Sequence, residues 1–226
     1  IARKYELFGL GEMMNYPAVI GADDDVMQKL SVCDIIDGHA PSLTGNALNA
    51  YLCGNILTDH ECESVEEVYE KISKGMYVLI REGSQTKNLK TTIQAVNKNN
   101  IRRFLFCTDD RNVEDLFEIG TVSNAVRLAV ECGLDPIDAI TIASLNAFEA
   151  YGIKKHGAIA PGYFADMLLC SDNIAQKIDK VFYHGKPVAE NGKPLFETHP
   201  ASAAALYGSV HIKPVEEKDF EFEFKK

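Results

Sequence analysis

Val32-Cys33-Asp34-Ile35-Ile36-Asp37-Gly38-His39-Ala40-Pro41 holds the pattern on which most of the chain is built. A short run rich in β-branched residues is a strand signal, and the Gly and Pro that follow punctuate its end. A histidine stands between them, where the chain leaves the strand. The same form recurs on both sides. Tyr5-Glu6-Leu7-Phe8-Gly9-Leu10 runs on to Glu12, and Asn55-Ile56-Leu57-Thr58 runs on to His60. Met76-Tyr77-Val78-Leu79-Ile80 leads to Glu82, and Arg103-Phe104-Leu105-Phe106-Cys107-Thr108 to Asp109. The end groups at positions 12, 39, 60, 82 and 109 follow one another at intervals of roughly 20 to 30 residues, the length of a strand, a loop, a helix and a return loop. Repeated β-α units of this kind predict an α/β fold with parallel strands.

Helices fit between the strands. Ser64-Val65-Glu66-Glu67 has the form of a capping box, and Val65, Val68, Tyr69 and Ile72 recur at helical spacing before Gly75. Val122 to Val130 reads as a helix. Asp135-Pro136 starts another, with Asp as cap and Pro in the first turn, carried through Ile137, Ile140 and Leu145 towards Ala150. From Gly157 the texture changes to short strands, Ala165–Cys170 and Lys180–Val188, with Asn191-Gly192 as a hairpin signal. The expected division is therefore 1–156, a β/α barrel portion, and 157–226, a β-strand appendage with a tail. In that tail acids alternate with Phe220, Phe222 and Phe224, as an edge strand or a loose end.

Composition limits the function. The 226 residues are 46% hydrophobic and 25% charged, as in a globular chain with a sizeable core. Lys and Arg total 23 against 33 Asp and Glu, a net charge of -10, which disfavours a nucleic-acid backbone as partner. The six cysteines form no Cys-x-x-Cys pair and read as thiols of a reducing compartment, so the cytoplasm is expected. No apolar run approaches the roughly 20 residues of a membrane helix, so no membrane partner is expected. The chain opens at Ile1 within a strand-like pattern and reads as a piece of something larger.

In a β/α barrel the side chains at the C-terminal ends of the strands converge on one site. Here those are Glu12, His39, His60, Glu82 and Asp109. Imidazoles with carboxylates suit Zn, Fe or Mn, and a metal so held points to hydrolysis. Alternatives stand beside this. Glu12 also reads as a surface acid, Asp110 equally as a helix cap or a substrate contact, and Arg81-Glu82 equally as a structural ion pair. His156, His184, His199 and His211 are given no chemistry, and Lys154-Lys155-His156 reads as a solvated turn. There is no H-E-x-x-H, Walker loop, G-x-S-x-G, G-x-G-x-x-G or H-x-E…P-C-x-x-C signature.

Taken together, Gly9-Leu10-Gly11-Glu12-Met13-Met14-Asn15-Tyr16-Pro17, Asp37-Gly38-His39-Ala40-Pro41, Thr58-Asp59-His60-Glu61, Ile80-Arg81-Glu82-Gly83-Ser84 and Cys107-Thr108-Asp109-Asp110-Arg111-Asn112 resemble the adenine deaminases of the amidohydrolase superfamily. Gly157–Asp166 resembles the return from barrel to β domain in that superfamily, and the likeness runs over about residues 7–195. It implies a partial (β/α)8 TIM-type barrel, about the last five strands, followed by a small β-sandwich appendage. It implies a binuclear divalent metal site, Mn or Fe in preference to Zn, with Glu12 bridging and His39, His60 and Asp109 as ligands. Asp109 would also shuttle a proton, Glu82 would protonate or recognise the purine, and Arg81, Ser84 and Asp110 would contact it. The implied reaction replaces the C6 amino group of adenine by oxygen, giving hypoxanthine and ammonia, a purine-salvage step.

One departure from the family is decisive. Its His-x-His metal ligands occur nowhere in this chain. The expectation is thus of a fragment that alone binds metal poorly and is inactive, and that associates with itself or with the missing part of its parent. Two other readings remain: an amidohydrolase acting on a different aminopurine or a cyclic amide, and a non-catalytic piece that requires a partner.

Overall fold

The structure, a computed structural model, describes residues 4, 6–197, 199, 202, 204, 207–222 and 224. Ile1 and Tyr5, in the first expected strand, and Glu223, in the tail, lie outside them. The chain divides into two compact units, Ile1–Leu195 and Phe196–Lys226.

In the first unit the β-α repeat is realised as five parallel strands: β1 (Leu10–Met13), β2 (Ile36–Gly38), β3 (Thr58–Asp59), β4 (Tyr77–Arg81) and β5 (Phe104–Cys107). Strand β1 pairs with β2, Leu10 opposite Ile36, and β3, β4 and β5 form a continuous ladder with Val78 opposite Phe104. Between β2 and β3 the ladder is interrupted but the strands still adjoin. The Leu57 N–H donates to the Ile36 carbonyl at 2.8 Å, and the Gly38 N–H donates to Thr58 Oγ1 at 3.2 Å. Only glycine fits at 38, because a Cβ there would lie 2.2 Å from the Thr58 carbonyl oxygen.

The first strand begins five residues later than the sequence reading placed it. Leu7 and Phe8 are exposed, and pairing starts only where the Leu10 N–H reaches the Ile35 carbonyl at 2.9 Å. Glu12 therefore lies within β1, not beyond its end.

Helices α1 (Tyr16–Ile20), α2 (Asp24–Leu30) and α3 (Gly45–Leu52) cover β1 and β2, burying Val19, Val26, Leu30, Leu48 and Tyr51 against Ile36. A second core surrounds β3 to β5. It joins Val78, Ile80, Phe104 and Phe106 to residues of α4 (Val65–Ser73), α5 (Leu89–Thr92), α7 (Val122–Glu131) and α8 (Pro136–Ala143). Each such side chain, fully buried, contributes about 1.5–3 kcal/mol against conformational entropy. Helix α6 (Val113–Glu118) precedes α7, and α9 (Leu145–Ala150) follows α8.

The expected capping box is half formed. Ser64 accepts from the Glu67 N–H, but the Glu67 carboxylate turns to the Glu63 N–H instead of that of Ser64. Asp135 caps α8 as expected, and Pro136 opens it. The helix does not continue to Ala150 unbroken: Ser144 leaves helical geometry, which lets buried Asn146 donate to the carbonyls of Ile101 and Phe104 at the start of β5.

Beyond residue 157, β6 (Met167–Cys170), β7 (Ile178–Tyr183), β8 (Lys186–Glu190) and β9 (Lys193–Pro194) form one antiparallel sheet in that order. Asn191 and Gly192 both have positive φ, as a type I′ hairpin requires. His184 and Gly185 make the same turn between β7 and β8, a signal not read in the sequence. His156, expected in a solvated turn, is sandwiched between the rings of Phe148 and Phe164.

In the second unit a short 3-10 turn, Glu217–Phe220, is capped reciprocally by Glu216 and Asp219, and the described residues of the acid-Phe tail form no strand. No helix among the described residues is long and apolar enough to cross a membrane.

Candidate metal centre

Three consecutive β-α units bring Glu12, His39 and His60 together, with one ligand atom from each lying within 4.8 Å of the others. Glu12 Oε2 is 3.0 Å from His60 Nε2 and 3.4 Å from His39 Nδ1. Both of those nitrogens are buried and neither makes a hydrogen bond. Two imidazoles turned onto one carboxylate oxygen without hydrogen-bond geometry leave costly orphan atoms unless a cation accepts their lone pairs. The donor set, two nitrogens and carboxylate oxygens, fits a first-row divalent metal.

Glu61 completes the cluster, and sequence reasoning gave it no role. Its Oε1 lies 3.6 Å from His39 Nδ1 and 3.3 Å from His60 Nε2. Arg81, from the end of β4, pairs through its NH1 with Glu61 and with Asp109 Oδ2, the latter at 2.8 Å. His60, Glu61 and Asp109 form a second group whose ligand atoms lie within 4.8 Å of one another. Asp109 sits at a φ of 55°, a left-handed backbone that turns the chain sharply after β5. Nearby, burial pushes the Cys107 thiol up to about 12, which keeps it neutral.

Of the remaining expected residues, Arg81 reaches the cluster and Glu82 does not. Successive strand residues point to opposite faces. Arg81 therefore faces the carboxylates, and Glu82 faces the helices beside Asn124, Arg127 and Leu128. The Arg81-Glu82 ion pair does not form, since Glu82 has Lys87 as its nearest cation at 3.9 Å. Burial raises the Glu82 carboxyl above its ordinary value, against the pull of Lys87 and Arg111.

Asp110 accepts from the backbone N–H groups of Gln85 and Thr86 at 2.6 and 3.3 Å, and Ser84 Oγ bonds Asp115 while accepting from the Asn112 N–H. Both are engaged in shaping the loop that follows β4. Burial is the largest single influence on the Asp110 carboxyl and pushes it up, but the backbone bonds together with the Arg81 charge outweigh it and hold the carboxyl below its usual range.

Behind the cluster, polar groups fix the ligand-bearing loops. The Tyr51 hydroxyl accepts from the His39 N–H at 3.0 Å and donates to the Met13 carbonyl at 2.8 Å, tying β1 to the end of β2. Burial pushes its phenol up to about 12, so it keeps its proton. Asp59, Cys62 and Glu67 form a third ligand-like group, but Lys71 Nζ already stands in it, 2.8 Å from Asp59 and 2.6 Å from Glu67. The spacing of the strand ends marked His39 and His60. Nothing in the sequence marked Tyr51, since a buried phenol and a buried Leu have the same helical periodicity.

Residues 4–188 match the model of the amidohydrolase family, and the chain belongs to that family. It is 44% identical over 213 residues to the adenine deaminase of Dehalococcoides mccartyi strain 195, covering 93% of this chain and 37% of that one. The adenine deaminase of Petrotoga mobilis is 44% identical over 218 residues, or 94% and 38% of the two chains. The chain thus spans less than two-fifths of the length of these relatives. Among solved structures, the β-aspartyl dipeptidase of Fervidobacterium islandicum AW-1 aligns with a TM-score of 0.60 at 16% identity, over 86% of this chain and 59% of that one. An enamidase of the amidohydrolase superfamily aligns at 0.56 and 17%, over 76% and 53%. These two likenesses establish a shared fold.

Proposed function

We propose that this chain supplies the larger part of the metal site of an adenine deaminase, which hydrolyses adenine to hypoxanthine and ammonia. One observation carries the reading: the two orphaned imidazole nitrogens of His39 and His60 turned onto Glu12. The strength of the sequence likeness to adenine deaminases supports the choice of substrate. In architecture, β1 to β5 would be the last five strands of a (β/α)8 barrel, with the barrel portion ending at residue 156. The sheet β6–β9 would be one leaf of a small sandwich.

Glu12, His39, His60 and Asp109 would hold a pair of divalent cations, Mn or Fe before Zn, completed by a histidine pair from outside this chain. Bound there, the metals would act as Lewis acids that activate water at neutral pH. The residues of the chain do the rest. Arg81 engages Asp109 at Oδ2, which leaves Oδ1 to carry the proton that the departing amino group needs. Glu61, anchored by the same guanidinium and close to both imidazoles, would stand beside the bound metals. Ser84 and Asp110 shape the loop that would close over the purine. The partner would be a purine base, and the open strand edges would favour self-association or pairing with the rest of the barrel.

The test is ammonia release from adenine, guanine, 6-methylaminopurine and a hydantoin, with metal content by plasma mass spectrometry. The protein assayed is one in which this chain is joined to a His-x-His-bearing half. Turnover of adenine alone, lost on chelation and restored by Mn or Fe, is expected. Turnover of guanine or the hydantoin in its place moves the protein to another amidohydrolase activity. Full activity of the 226-residue chain by itself would refute the need for a second half.

A further inference from the structure

Lys71 is completely buried, on a helix that contributes no ligand. A lone buried ammonium costs several kcal/mol, so such a residue must be fully paired. Its three protons are all used: Nζ donates to the Ala40 carbonyl at 2.7 Å, to Asp59 Oδ2 at 2.8 Å and to Glu67 Oε1 at 2.6 Å. The two carboxylates it joins have the same task. Asp59 accepts from the Ala40 N–H at 2.7 Å and from the Glu61 N–H at 3.1 Å. Glu67 accepts from the Ser42 N–H at 2.9 Å and from the Glu63 N–H at 3.0 Å. Each carboxylate thus grips one N–H of the loop that follows His39 and one of the loop that follows His60.

We infer that Lys71 is a positioning residue for the metal site: through Asp59 and Glu67 it clamps the two histidine-bearing loops into one rigid piece, and so holds His39 and His60 at a fixed separation. The inference rests on the reading of Glu12, His39 and His60 as metal ligands. The physical argument is a balance of charge. Without the ammonium, Asp59 and Glu67 would be two carboxylates facing one another away from water. They would separate, and each would take its loop with it. The imidazole rings stand with centroids 5.3 Å apart, and a shift of about 1 Å between them is enough to spoil a ligand set.

The experiment uses the protein in which this chain is joined to a His-x-His-bearing half and titrates it with Co2+ as the probe, following the visible d–d bands up to millimolar metal, for the unaltered protein, Lys71→Met, Glu67→Gln and Ile142→Ala. Glu67→Gln keeps most of the network and removes one grip on the His60 loop, so it serves even where Lys71→Met fails to fold. Ile142→Ala weakens the helical layer without touching either loop. Weakening of Co2+ binding by about tenfold or more is expected for Lys71→Met, with a smaller loss for Glu67→Gln and none for Ile142→Ala, following the size of outer-shell effects in metal sites. In the metal-free protein, hydrogen exchange at Ser42 and Glu63 should quicken in Glu67→Gln and stay unchanged in Ile142→Ala. Unchanged affinity and spectrum in both network variants would overturn the inference and leave the metal reading intact. Absence of saturable Co2+ binding by the unaltered joined protein would overturn the metal reading and the inference with it.

Discussion

Replacing Tyr51 with Phe removes one oxygen atom and leaves the ring, which is fully buried, in place. That oxygen serves two backbone groups at once, the His39 N–H and the Met13 carbonyl. Without it both groups lose that bond, and a buried polar group left unpaired costs about 1–3 kcal/mol. Partial relaxation makes the sum less than additive, so the expected loss is about 2–4 kcal/mol. For a chain of this size that corresponds to a fall in Tm of about 5–15 °C. The chain has no tryptophan, so unfolding is followed by far-ultraviolet circular dichroism in urea and on heating. Tyr69→Phe, at an exposed phenol, is the matched control and should change nothing measurable. A loss below about 0.5 kcal/mol in Tyr51→Phe would refute the claim that this hydroxyl ties β1 to β2.

Gly38→Ala is expected to yield no soluble folded protein, because the new methyl would meet the Thr58 carbonyl oxygen at 2.2 Å and backbone cannot step aside as a side chain can; expression and circular dichroism decide this. Glu82→Gln should stabilise the protein at pH 7 and lose that advantage at pH 4. The Glu82 carboxyl is raised in the folded state by burial, so the fold binds its proton more tightly than the unfolded chain does. Its contribution is therefore full below the unfolded pKa of about 4.3 and is lost as pH rises through the folded one. Urea midpoints at the two pH values check the sign, and an equal gain at both would refute it.

The strands were legible because β-branched runs closed by Gly, Pro or His are local signals, and so His39 and His60 were found. The first strand was misplaced for an equally local reason: Leu7 and Phe8 have the apolar character of a strand but point to solvent. On β4 the choice between Arg81 and Glu82 turned on the period of two, which a strand-end rule ignores. The break at Ser144 was hidden because Asn146 looks like any helical polar residue until its two carbonyl partners on the approach to β5 are known. Glu61 was within a quoted motif yet had no role, since its use depends on Arg81, twenty positions away. Lys71 was read only as part of a helix, and its burial is a property of the packed units, not of its neighbours in sequence.

Most of the bonds that build the centre span about one β-α unit of the chain. Tyr51 reaches back 38 positions to Met13, Lys71 reaches back 31 to Ala40, and Arg81 reaches forward 28 to Asp109. Each joins one β-α unit to an adjacent one, so low contact order lets the site assemble in steps as the chain leaves the ribosome, without waiting for distant segments. One bond breaks that order. The Tyr151 hydroxyl donates to Asp37 across 114 positions, so it forms late, and its appearance would mark the moment at which the growing chain closes on itself.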